Sequence, residues 1–103
     1  MHRRVSLVLL VSLFVLSSCG SSIEGKYGVD LFQASCATCH AGDLSGGFGP
    51  PLGFNSNSAL NLTDEQIGNS IRVGPGAMPA FSQLDDEQIA SLVEFLRWMQ
   101  QGE

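Results

Sequence analysis

Cys36-Ala37-Thr38-Cys39-His40 is the stretch on which the reading of this chain turns. Its two thiols stand three positions apart, about one helical turn, so both sulfurs can reach the same edge of one flat group. The histidine that follows lies where its imidazole can meet the centre of that group. This is the spacing of covalent haem attachment: each thiol adds to one vinyl group, and His40 serves as the proximal iron ligand. A zinc half-site, a thioredoxin-like redox pair and chance are the competing readings at this point.

Upstream of the motif, Met1-His2-Arg3-Arg4 is a short basic start, and Val5 to Leu16 is an apolar run of twelve residues. A membrane span takes roughly 20 residues, so the run has the length of a signal-peptide core. It ends Leu16-Ser17-Ser18-Cys19-Gly20, which resembles a bacterial lipobox. The resemblance implies removal of residues 1–18 and acylation of Cys19, leaving residues 19–26 as a lipidated polar tether and 27–103 as one domain. Diacylation with N-acylation anchors a protein stably, where a single chain would not. Cleavage takes Arg3 and Arg4 and leaves three basic residues (Lys26, Arg72, Arg97) against ten acids, a formal charge of −7. Such a surface argues against nucleic acid and favours a basic or apolar-edged protein partner. The 85 residues that remain are few for a self-sufficient core; a buried haem would supply apolar mass.

Downstream, the pattern is helical throughout and no stretch alternates as a strand would. A first helix is expected over Gly28 to Cys39, with Leu31, Phe32 and Ser35-Cys36 on one face. Ala41 to Asn61 is rich in glycine and asparagine and contains Pro50 and Pro51, so it is expected to be a loop. Its Phe48, Leu52, Phe54 and Leu60 point to an ordered loop folded over one face of the haem. Leu62-Thr63-Asp64-Glu65-Gln66-Ile67 and Leu84-Asp85-Asp86-Glu87-Gln88-Ile89 repeat one opening. Each has an N-cap, a glutamine three residues on and a flanking leucine–isoleucine pair, which makes a capping box with a hydrophobic staple. The first of these helices should stop at Gly74. The second should run to about Met99 with Ile89, Leu92, Val93, Leu96 and Met99 as its apolar stripe and Phe95 beside it.

Between those helices lies Gly74-Pro75-Gly76-Ala77-Met78-Pro79-Ala80-Phe81. Pro79 keeps Met78 out of helical geometry. Once the leader is gone His40 is the only histidine, and Met78 and Met99 are the only methionines. Met99 belongs to a helical stripe and Met78 does not, so Met78 is the candidate distal ligand. The same counts weaken the rivals: zinc lacks a fourth ligand, and no βαβ pattern supports a thioredoxin-like fold.

Taken together, residues 27 to 101 resemble the small class I c-type cytochromes. Cys36–His40 carries the attachment motif, Met78-Pro79-Ala80-Phe81 the methionine loop, and Gly49-Pro50-Pro51-Leu52 the Gly-Pro-x-Leu element. The resemblance implies an all-α fold with crossed first and last helices, a short middle helix and a long haem-covering loop. It implies that Leu92 and Phe95 meet Gly28 and Phe32, the glycine allowing close backbone approach, and that the Pro50 carbonyl orients His40. By the same resemblance, Leu52, Phe54, Phe81 and Leu96 would line the pocket of one haem c per chain. The expected function is one-electron transfer with no enzymatic reaction, by a monomer held at the outer face of a bacterial membrane, periplasmic or cell-surface. Its partners would be redox proteins such as a respiratory or photosynthetic complex. A fixed subunit of a larger oxidase or dehydrogenase, and a five-coordinate peroxidase or sensor, stand as alternatives.

Overall fold

The computed structural model describes residues 22–102. The leader (1–18) and Cys19 lie outside the described residues. Five helices form: α1 Gly28–Ser35, α2 Ala37–His40, α3 Asn57–Asn61, α4 Asp64–Val73 and α5 Asp86–Gln100. Among the described residues there is no strand, and no helix is long and apolar enough to cross a membrane.

The frame is α1 packed on α5, with α4 laid against α5. Leu31, Phe32, Ile67, Ile71, Ile89, Leu92, Val93 and Leu96 form one buried cluster. The Phe32 and Phe95 rings meet at 5.3 Å, tilted by 48°, an arrangement that suits the aromatic quadrupole. Ser91 also meets Gly28: its hydroxyl accepts a hydrogen bond from the Gly28 N–H at 2.9 Å. That bond gives an acceptor to one of the four N–H donors which a helix start leaves unpaired, since Tyr27 caps α1 with no side-chain bond. Gly28 itself has φ +53° and nothing within 4 Å of where a Cβ would stand. Its glycine answers a left-handed backbone, not the close approach expected. Close approach occurs instead at Gly68, where a Cβ would stand 3.3 Å from Ile89.

Both expected capping boxes are present, Thr63 with Gln66 and Asp85 with Gln88. Gln88 has a second task. Its Nε2 donates to the carbonyls of Ile23 (2.7 Å) and Lys26 (3.2 Å), and Ile23 packs against the core. Residues 23–26, expected as free tether, are therefore bound to the start of α5.

Two other expectations change. The first helix is interrupted at Cys36, a distorted residue still in the right-handed helical region (φ −115°, ψ −31°), so Ala37–His40 of the motif occupy a separate turn, α2. The loop between Ala41 and Asn61 is not featureless and the middle helix is not alone. Ser56 caps the five-residue α3 by accepting a hydrogen bond from the Ala59 N–H. Of the large side chains supposed to order the loop, Leu52 packs against the core, whereas Phe48, Phe54 and Leu60 are exposed. Leu44 joins Leu52 in holding the loop. It is 1% exposed and its carbonyl accepts from the Leu52 N–H at 2.9 Å.

Candidate functional site

α2, the loop after it, α3, α4 and the 74–81 loop enclose a cavity of about 400 Å³. Cys36, Cys39, His40, Pro50, Leu52, Met78, Phe81 and Leu96 all line it. The structure thus gathers residues spread over sixty positions of sequence around one hollow. A larger hollow of about 1310 Å³ runs along the outer faces of α1, α4 and α5. It is an open surface groove with no cysteine or histidine on its walls.

His40 is buried, and its Nδ1 lies 2.8 Å from the Pro50 carbonyl oxygen. With Nδ1 carrying the proton and donating to that carbonyl, Nε2 is left with its lone pair for a metal. The expected partner of the imidazole is in place, and its position depends on two glycines. A Cβ on Gly49 would stand 2.8 Å from His40 Cε1. Gly46, at φ +89°, lets the chain double back so closely that a Cβ there would meet Pro51 N at 2.8 Å. Backbone bonds from Gly49 N–H to Cys39 O (2.8 Å) and Gly46 N–H to His40 O (2.9 Å) tie this loop to α2.

Met78 is set by a similar device. Gly74 closes α4 in the left-handed conformation (φ +67°). A Cβ there would come within 2.5 Å of Met78 O and 2.6 Å of Ala80 N. Phe81 N–H then bonds to Ile71 O at 2.9 Å, returning the loop to α4. Met78 is partly buried against the core cluster.

Of the expected wall residues, Leu52, Phe81 and Leu96 are there and Phe54 is not. Phe54 occupies the first corner of a turn closed by Ser56 N–H to Gly53 O (3.1 Å), which throws its ring outward, 55% exposed. Sequence reasoning missed Ser35, Ser58, Leu62, Ile67 and Ile71 on the wall. Ile67 and Ile71, one turn apart on α4, could have been found from helical spacing; the serines carried no signal.

The residues present fit a covalently held iron porphyrin. A concave site of about 400 Å³ is of the size that takes a small-molecule cofactor. Its wall is chiefly apolar, and its donors are an imidazole, a thioether and two thiols, the set that suits haem iron and its attachment. Burial, with Cys39 close by, pushes the Cys36 thiol up to about 11. The neutral form is the one this wall accepts, and a thioether, which cannot ionise, suits it better still. Ser35 Oγ is buried on the same wall without a partner among the described residues. Orphan hydroxyls of that kind are rare in filled interiors.

Comparison with known proteins agrees. The family described as cytochrome c oxidase, cbb3-type, subunit III matches residues 24–96. Cytochrome c6 of Bryopsis maxima is 37% identical over 77 residues, covering 69% of this chain and 86% of that protein. Cytochrome c6 of Cyanidium caldarium is 29% identical over 93 residues, covering 86% and 84%. The solved cytochrome c6 of the diatom Phaeodactylum tricornutum superposes with a TM-score of 0.61 at 28% identity, over 72% of this chain and 95% of that one.

Proposed function

The chain belongs to this family of small monohaem c-type cytochromes, and on that premise we propose that His40 and Met78 ligate its haem iron and that Cys19 tethers it to a membrane. Membership carries with it covalently bound haem c and electron transfer rather than an enzymatic reaction. The observation that supports the axial pair best is that His40 and Met78 line one cavity with the two thiols, while Pro50 occupies the other imidazole nitrogen.

Haem c supplies an iron that cycles between ferric and ferrous states. The Cys36 and Cys39 thiols would each hold the group through a thioether, made by adding S–H across a vinyl group with no oxidant consumed. The Pro50 carbonyl holds the His40 ring in orientation and makes its free nitrogen more basic. Met78, on its glycine-hinged loop, would supply a thioether ligand, and an imidazole–thioether pair would raise the potential. Cys36 and Cys39 mark the edge by which electrons enter and leave. The acidic surface sets encounter rates with partners.

Met78→His tests the axial pair. Imidazole donates to ferric iron more strongly than a thioether does, so the midpoint potential should fall while haem is retained. An unmoved potential, or oxidised wild-type protein lacking the iron–sulfur charge-transfer band, removes Met78 as ligand. Cys19→Ser tests the tether, because haem-bearing protein should pass to the soluble fraction. With Ile23 held by Gln88, four residue steps separate Cys19 from the bound segment, a reach of about 14 Å at most, which would hold the domain close to the lipid surface.

The family's description favours a second reading, a fixed haem-c subunit of a larger oxidase. Co-purification with a membrane complex that survives high salt would support it over a carrier that moves between complexes.

A further inference from the structure

Arg97 and Gln100, in the last turns of α5, neither attach nor ligate haem, yet their polar contacts converge on the cavity wall. Arg97 Nη1 donates to Ser58 O (3.0 Å) and to Gln100 Oε1 (2.8 Å). Its Nη2 donates to Leu62 O and its Nε to Asp64 Oδ1 at 2.7 Å. Gln100 Nε2 donates to Leu52 O (2.9 Å) and to Ser58 Oγ (3.1 Å), and Ser58 Oγ lies 3.0 Å from Ser56 Oγ, the cap of α3. Leu52, Ser58 and Leu62 all line the cavity, as does Leu96 beside Arg97.

The three carbonyls held in this way belong to the end of the haem-side loop, to α3 and to the link into α4. At five residues α3 is too short to persist on its own hydrogen bonds. A guanidinium has five N–H donors in a rigid plane, and this one makes four contacts in different directions. Lysine, with one point charge, cannot reproduce them. The Arg97 side chain is 27% exposed, so water competes with the network only in part.

We propose that Arg97 and Gln100 are positioning residues that clamp α3 and the Leu52 and Leu62 carbonyls onto the haem, keep that wall dry and so hold the potential up. The sign follows from charge: ferric haem carries one more positive charge than ferrous, and water let in at the wall stabilises it. The proposal rests on the assignment of this cavity to haem.

The experiment uses the haem-loaded protein and measures covalent haem content, midpoint potential and amide hydrogen exchange at Ala59 and Leu60. Wild type is compared with Arg97→Lys, Arg97→Met and Gln100→Ala. Wild type without covalent haem defeats the cavity assignment itself; variants with full haem content and an intact axial spectrum test the clamp alone. Arg97→Lys keeps the charge and loses the fork. It should lower the potential nearly as far as Arg97→Met and speed exchange in α3 by about tenfold or more. Gln100→Ala should do the same to a smaller extent. A wild-type potential in Arg97→Lys would mean that only the field of the charge matters, and would overturn the clamp. If Arg97→Met does not fold, the milder Gln100→Ala decides: an unmoved potential there overturns the proposal as well.

Discussion

In the α1–α5 pair, Phe32 and Leu92, each 1% exposed, and the neighbouring Phe95 ring are held by contact area between side chains. In the segment from Gly74 to Phe81, which brings Met78 to the cavity, the hold is on the backbone: a left-handed glycine, a proline, and one hydrogen bond back to Ile71. The frame tolerates changes of shape at constant volume. At Gly74 the loop has no room for a single added carbon. The lesson is a division of labour, in which side-chain packing decides whether the chain folds and backbone geometry decides whether Met78 reaches the cavity.

Four substitutions separate the two. Phe32→Ala empties the centre of the frame and should cost about 3–5 kcal/mol in denaturant unfolding, with the iron–sulfur band unchanged wherever the protein remains folded. Loss of that band ahead of unfolding would erase the division. Gly74→Ala should cost less, about 1–3 kcal/mol for a strained left-handed residue, yet it should abolish the band while covalent haem stays. Retention of the band would show that the loop adjusts around a Cβ. Asp85→Ala removes the cap of α5 and should lower stability by about 1 kcal/mol without moving the spectrum. A larger effect would reveal how far Gln88, freed from its capping box, also releases Ile23 and Lys26. Smallest of all, Asp86→Asn breaks an ion pair to Arg72 whose side chains are 94% and 42% exposed. Surface pairs of this kind contribute about 0.5 kcal/mol, and the change should nearly vanish in high salt.

The same division explains what could be read in advance. Both capping boxes, the stripe of α5 and the stop at Gly74 are local patterns, and the structure bears each of them out. Spacing likewise marked Cys36, Cys39 and His40, and elimination marked Met78; all four line the cavity. Phe54 went astray because a turn closing on Gly53 decides which way its ring faces, and hydrophobicity does not encode that direction. Leu44 and α3 were missed for the converse reason. One leucine at positive φ and five polar-rich residues after Ser56 gain their structure from what packs on them. The tether was read as free because its composition is polar; the buried amide that holds it lies sixty-odd positions away, on α5.

The sequence by itself determined the frame helices α1, α4 and α5, the attachment motif and the candidate ligands, because periodicity, capping and covalent spacing act over a few residues. Tertiary structure decided where these meet. Pro50 O reaches His40 only through a loop folded back at Gly46. Ser91 completes the start of α1, Gln88 binds the tether, and Arg97 and Gln100 close the wall. Each of these is a polar group on α5 satisfying a partner distant in sequence. Burial makes such pairing necessary, but only the folded chain chooses the partner.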